Sequence, residues 1–187
     1  SRRQRQMCIR DSDRIAMARI YLEPKISAME RVATMKLLGA HYSIQLYTGS
    51  DTAGLPVYNC GLVKTLTEMP LVFHYSKINL NITSKSIHDG LPLRIFDVLG
   101  CGGFLLTNYQ TELAQWFTPG RDLECYTGED DLLEKVDYYL THEKDRTEIA
   151  HNGYETVKKY HNYPERLLQM ISLAYGISSG NDTEGVL

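Results

Sequence analysis

The chain has 187 residues, 43% of them hydrophobic, and a formal net charge of −3. That length makes one domain or a little more with a real apolar core, and so small a net charge gives no bulk attraction to nucleic acid or an anionic membrane. No apolar run approaches the roughly 18 residues of a membrane span, no apolar core follows the basic start as a signal peptide requires, and Cys8, Cys60, Cys101 and Cys125 show no CxxC or Cys/His spacing, which speaks against zinc or a disulfide framework.

The first twelve residues, SRRQRQMCIRDS, are basic and without periodicity. They read as a non-native or disordered leader and are set apart from the folded region, residues 13–175. Asp13–Leu22 is apolar and ambiguous between helix and strand. Lys25–Leu38 reads as a helix, with Ile26, Met29, Val32, Met35 and Leu38 at steps of three, ended by Gly39. Tyr42–Thr48 alternates as a strand does. A loop rich in Gly, Ser, Asp and Pro follows to Asn59, with a short strand expected within Val57–Val63 and a short helix over Met69–Tyr75.

The stretch Ile87–Gly103, IHDGLPLRIFDVLGCGG, carries the most information. Before it lies the alternating run Ile78-Asn79-Leu80-Asn81-Ile82, and after it Phe104–Thr107. Strand, glycine turn, helix over Leu91–Leu99, glycine turn and strand make one βαβ unit of a parallel sheet. Gly90 and Pro92 open the helix, and Gly100, Gly102 and Gly103 close it. A helix that begins at a glycine turn offers free N–H groups and a positive dipole end to an anion, a diphosphate above all. Asp89 and Asp97 have seven residues between them, and Asp97, two turns in, is placed to accept hydrogen bonds from ribose hydroxyls. The ligand loop is then Thr83–Gly90, beyond the carboxyl ends of the strands. Helix punctuation alone also explains the Gly-Leu-Pro opening. His88 reads either as a hydrogen-bond partner for phosphate or sugar or as an exposed loop histidine. Arg94 reads either as a diphosphate partner or as an ion pair with Asp97 one turn along.

Farther on, Thr111–Phe117 is a short helix stopped at Pro119-Gly120, and Leu123–Tyr126 a short strand. Thr127 reads as an N-cap with Asp130 three residues on. The helix behind it runs to about Thr141 and buries Leu132, Leu133, Val136, Tyr139 and Leu140. Glu143–Tyr160 is a helix with Ile149, Ala150, Tyr154 and Val157 inward, and Tyr163–Tyr175 is the last. Residues 176–187 form a polar tail expected to be disordered. Alternating strands and helices make an α/β, Rossmann-like fold with a parallel sheet flanked by helices. Trp116 with Phe117 reads as core. GCGG at 100–103 precedes a strand and so is not a dinucleotide fingerprint, and no GxxxxGK[ST] is present.

The blocks EMPLVFHYSKINLNIT (Glu68–Thr83), IHDGLPLRIFDVLGCGGFLLTNYQTEL (Ile87–Leu113), FTPGRDLECY (Phe117–Tyr126) and Glu129–Leu167, with LYTGSD at Leu46–Asp51, resemble the C-terminal lobe of GT-B glycosyltransferases, group 1, of the kind related to the spore-maturation protein CgeB. The resemblance covers roughly residues 25 to 172. The family commonly has glutamate at one or both acid positions, where this chain has Asp89 and Asp97. The resemblance implies a metal-independent hexosyl transfer from a nucleotide-diphosphate sugar, a UDP-sugar, to a glycan or protein acceptor. It implies Asp89 and Asp97 as the catalytic acids and Gly49, Ser50, His88, Gly90, Leu91, Pro92, Leu93, Arg94 and Asp97 as donor-binding residues, with Gly61–Lys64 bordering the base. No cofactor or metal is expected beyond the donor itself. An N-terminal GT-B lobe is expected as partner, without which the fragment is inactive, and the expected setting is the bacterial cytoplasm, at most peripheral to the membrane. The rival readings are a non-catalytic nucleotide- or protein-binding module of spore-coat or envelope assembly, and a receiver-like regulator, for which no acidic pocket is visible.

Overall fold

The structure is a computed structural model and describes residues 15–87 and 90–176. The leader (1–12), the tail beyond Gly176, and His88 and Asp89 lie outside the described residues. A π-helical turn, Ala18–Leu22, runs directly into helix α1, Glu23–Gly39. Then come β1 (Gln45–Leu46), β2 (Tyr58–Asn59), α2 (Met69–Tyr75), β3 (Asn79–Asn81), α3 (Leu93–Gly100), β4 (Leu105–Asn108) and α4 (Leu113–Trp116). The chain closes with β5 (Glu124–Tyr126), α5 (Glu129–Thr141), α6 (Glu143–Tyr160) and α7 (Tyr163–Tyr175).

All pairings are parallel. Gln45 lies opposite Tyr58 in a two-stranded sheet, and β3, β4 and β5 form a second sheet in that order, with Asn79 opposite Leu105 and Leu106 opposite Glu124. Parallel neighbours require crossovers, and α3 provides the one between β3 and β4. This is the α/β class expected from the alternation of elements.

Successive strand residues face opposite sides, and the core divides accordingly. Phe104, Leu106 and Tyr126 meet Leu132, Val136 and Tyr139 of α5 and Ile149 and Ala150 of α6. On the other side Leu105, Leu123 and Cys125 meet Ile95, Val98 and Leu99 of α3, with Leu113 and Phe117. Burial, then the Glu124 charge, pushes the Cys125 thiol up to about 12. Gly153 brings α6 against the turn before β5: a Cβ there would collide with the Asp122 carbonyl and lie 2.8 Å from Leu99 Cδ2. Among the described residues no helix is long and apolar enough to cross a membrane.

Several expectations change. Residues 15–22 are helical. The strands expected over Tyr42–Thr48 and Val57–Val63 pair over two residues each. The stripe expected on α1 is not buried as one: Leu38 is, but Ile26, Met29 and Val32 are exposed. Steps of three turn about 300° and drift some 60° each time, so five such residues wind round the helix and do not share one face. Thr127 does not cap α5. Gly128 is the N-cap, and the Thr127 N–H and hydroxyl both donate to Asp131 instead, at 2.8 and 3.1 Å. Trp116 is 41% exposed; the Arg166 guanidinium lies 4.5 Å over its ring. In β3 the polar phase of the alternation is the more deeply buried. Asn79 donates to the carbonyls of Phe73 (2.9 Å) and Phe104 (3.1 Å), and Asn81 also finds buried partners, while Ile78 and Leu80 are only partly covered.

Candidate functional site

Beyond the carboxyl ends of β3 and β4 lies an open cleft of about 630 Å³. Thr83, Ser84, Lys85, Ile87 and Gly90 line it from the connection after β3, Asn108 to Glu112 from the end of β4 onward, and Gln115 from α4. In a parallel sheet covered on both faces, the strand ends are where ligands have access. A buried polar relay forms the floor. The Asn81 amide donates to Thr107 Oγ1 (2.9 Å) and Thr83 Oγ1 (3.0 Å), Thr83 Oγ1 donates to Gln110 Oε1 (3.3 Å), and the Thr83 N–H donates to Asn108 Oδ1 (2.8 Å). Buried polar groups stay only where they are paired, so these bonds hold the amide and hydroxyl heads at fixed places.

Gly90 sits on the cleft wall with φ +90°. Its N–H donates to the Glu112 carboxylate from the β4–α4 connection, a side chain of the chain itself. The helix behind it starts later than expected. Pro92 is the N-cap, with ψ 139°, and α3 begins at Leu93. Leu91 precedes a proline and is thereby biased away from helical backbone, which leaves Gly90 in the turn ahead of the helix. The Ile95 N–H turns back to the Pro92 carbonyl at 3.0 Å.

Helix α1 fastens the same connection. Ser27, nearly fully buried, accepts from the Lys85 N–H at 2.9 Å and meets Ser84 Oγ at 3.1 Å. Arg31 donates to the Ile82 carbonyl at 3.3 Å, and Lys85 Nζ lies 3.4 Å from Glu30 Oε1.

The other described residues nominated by the sequence spread away from the cleft. Arg94 lies 3.7 Å from Asp97 Oδ2 and over the Phe73 ring of α2 at 5.2 Å. Both charged side chains are about half exposed and neither lines the cleft. Burial and then the Asp97 charge push the nearby Cys101 thiol up. Leu91 packs against the core below α3, and Leu93 is exposed. Gly49 and Ser50 occupy the loop after β1. A Cβ at Gly49 would lie 3.4 Å from the Leu62 side chain, and the Ser50 carbonyl accepts from Asn59 Nδ2 at 3.3 Å. Of the nominated residues that are described, then, the cleft gathers Gly90. It adds Thr83 and Lys85, which lie in the expected ligand loop Thr83–Gly90 without being singled out there, and Asn108, Gln110 and Glu112, which no motif marked. Their signal was positional: they are the polar residues just past two apolar strands. Among the described residues no group of three or more His, Cys, Asp or Glu side chains is placed to hold a metal ion.

Comparison with solved structures finds the same fold. The sucrose-phosphate synthase from Thermosynechococcus elongatus superposes with a TM-score of 0.59 at 16% identity, over 78% of this chain and 42% of that one. The C-terminal domain of a glycosyl transferase group 1 family protein (LpcC) from Francisella tularensis is also similar, with a TM-score of 0.48 at 15% identity, over 59% of this chain and 56% of that one. The chain thus spans about half the length of these structures. Among curated proteins no match is found. The family described as glycosyl transferase-like matches residues 22–172, and the chain belongs to that family.

Proposed function

We propose that this chain is the donor-binding lobe of a glycosyltransferase, of the CgeB-like kind within group 1, and that its cleft takes a nucleotide-diphosphate sugar. The observation that carries this reading is the cleft at the carboxyl ends of β3 and β4, in which the Gly90 N–H already holds a carboxylate. The donor is a UDP-sugar and the acceptor a glycan or protein. As the glycosidic bond breaks, the diphosphate leaving group gains negative charge. The N–H groups of Gly90, Leu91 and Leu93 and the positive end of α3 stabilise it, so the step needs no metal. Amides and hydroxyls of Asn108, Gln110, Thr111 and Thr83 suit the hydroxyls of a sugar. Asp97 stands outside the cleft lining and is assigned the ribose of a donor that extends past the cleft toward α3. Gly49 and Ser50, also outside the cleft lining, are assigned the far border of the diphosphate channel, Gly61–Lys64 border the base, and His88 and Asp89 belong to the ligand loop by sequence. Acceptor contacts come from a second, N-terminal lobe, and this chain alone binds donor weakly and does not turn it over. The working compartment is the bacterial cytoplasm.

The test is calorimetric titration of the chain with UDP and of Asp97→Asn beside it. The substitution should weaken binding by roughly 1.5–3 kcal/mol, the worth of hydrogen bonds to a charged group, without changing the fold. Unchanged affinity removes Asp97 from the site.

A further inference from the structure

We propose that Lys85 receives the anionic part of the cleft's ligand and that Glu30 of α1 is its resting partner. The proposal rests on the reading of the cleft as a site for a phosphorylated donor and names the cation of that site. Among the described residues that line the cleft, Lys85 is the one cation. Arg94 is engaged elsewhere, with Asp97 and over Phe73. Among the described lining residues a diphosphate in the cleft therefore meets one positive side chain, two residues beyond Thr83 of the polar floor.

The lysine's place does not depend on a free loop. Its backbone N–H is held by the buried Ser27 hydroxyl, the neighbouring Ser84 hydroxyl meets the same oxygen, and Arg31 holds the Ile82 carbonyl. One helix thus fixes the stem of Lys85 before any ligand arrives, and ordering completed in the free protein does not weaken binding. The ammonium itself is left movable. It lies 3.4 Å from a Glu30 carboxylate oxygen, and both side chains are substantially exposed. An exposed pair of that kind is weak, whereas a charge-assisted bond to phosphate is among the stronger hydrogen bonds. Exchange of the carboxylate for a phosphate is downhill, and the change is a swing of one side chain.

Titration of the whole chain with inorganic pyrophosphate tests this, because that probe carries the anion without base or sugar. Lys85→Gln should weaken binding by about tenfold or more, and Lys85→Arg should keep most of the affinity. Glu30→Gln should tighten binding by about two- to fivefold, the range of an exposed pair released. A Lys85→Gln chain that binds pyrophosphate as the parent does overturns the proposal. So does a parent that does not bind it, or a Glu30→Gln chain that binds more weakly. A parallel titration with UDP-sugars separates the two readings. Donor binding with a Lys85-independent pyrophosphate response removes Lys85 alone. A Lys85-dependent pyrophosphate response without donor binding removes the donor reading and leaves the anion site.

Discussion

Gly90 adopts φ +90°, a backbone conformation that costs a residue with a Cβ about 1–2 kcal/mol. Among the described residues, apart from its chain neighbours, a Cβ there would meet no atom within 4 Å, so Gly90→Ala addresses the backbone effect. It should lower stability by about that amount in urea unfolding. It should also weaken UDP in a titration, because the turn that aims the N–H at the cleft relaxes. Loss of neither would show that the turn holds without glycine. The sequence made Gly90 legible because Gly-Leu-Pro before an amphipathic run has few uses. For Arg94 it left two readings open, and the ion pair with Asp97 is the one that forms; the contact with the Phe73 ring of α2, remote in sequence, was hidden. The relay from Asn81 through Thr83 to Gln110 was equally hidden. An asparagine between apolar strand residues looks like the solvent face, until a helix covers that face as well.

At the level of elements, the βαβ unit of β3, α3 and β4 was readable almost to the residue, because a period-two run, a helical run and two glycine turns agree with one another. The face of α1 was not readable, since spacing by three drifts and Ser27, not the methionines, is the residue it buries against the site. Packing of α6 on α3 depends on a glycine in mid-helix. A methyl group at Gly153 would press on the Asp122 carbonyl and on Leu99. Gly153→Ala should therefore destabilise the chain by about 1–3 kcal/mol, the usual cost of overpacking, despite alanine's better helix propensity. Urea unfolding midpoints check this, and a stabilised variant would mean that the two helices can part without loss.

For the molecule as a whole, α7 is held little by burial: none of its residues is buried. Its polar fastening is Arg166, whose Nη2 lies 2.7 Å from His161 Nδ1 while the guanidinium covers Trp116. Burial and then the Arg166 charge hold the His161 imidazole below its ordinary value of 6.5, against a smaller opposing hydrogen bond with the Trp116 backbone. A value depressed in the folded chain means that the unfolded chain takes up the proton first. The histidine's contribution is therefore complete above about 6.5 and is lost as pH falls below it. Unfolding free energy measured at about pH 7.5 and about pH 5.5 should fall more in the parent than in His161→Phe, which keeps a ring but cannot titrate. Equal falls would remove the histidine from the linkage.

The central claim is donor binding, and the most direct measurement is a thermal-shift titration of the intact chain against nucleoside diphosphates and their sugar conjugates. A ligand that binds only the folded state adds about 2.7 kcal/mol of stability at a hundred times its dissociation constant, or roughly 5–10 °C in a chain of this size. The account predicts such a shift for at least one nucleotide-sugar, UDP-sugars first. No shift with any of them, while the chain melts cooperatively, would contradict it.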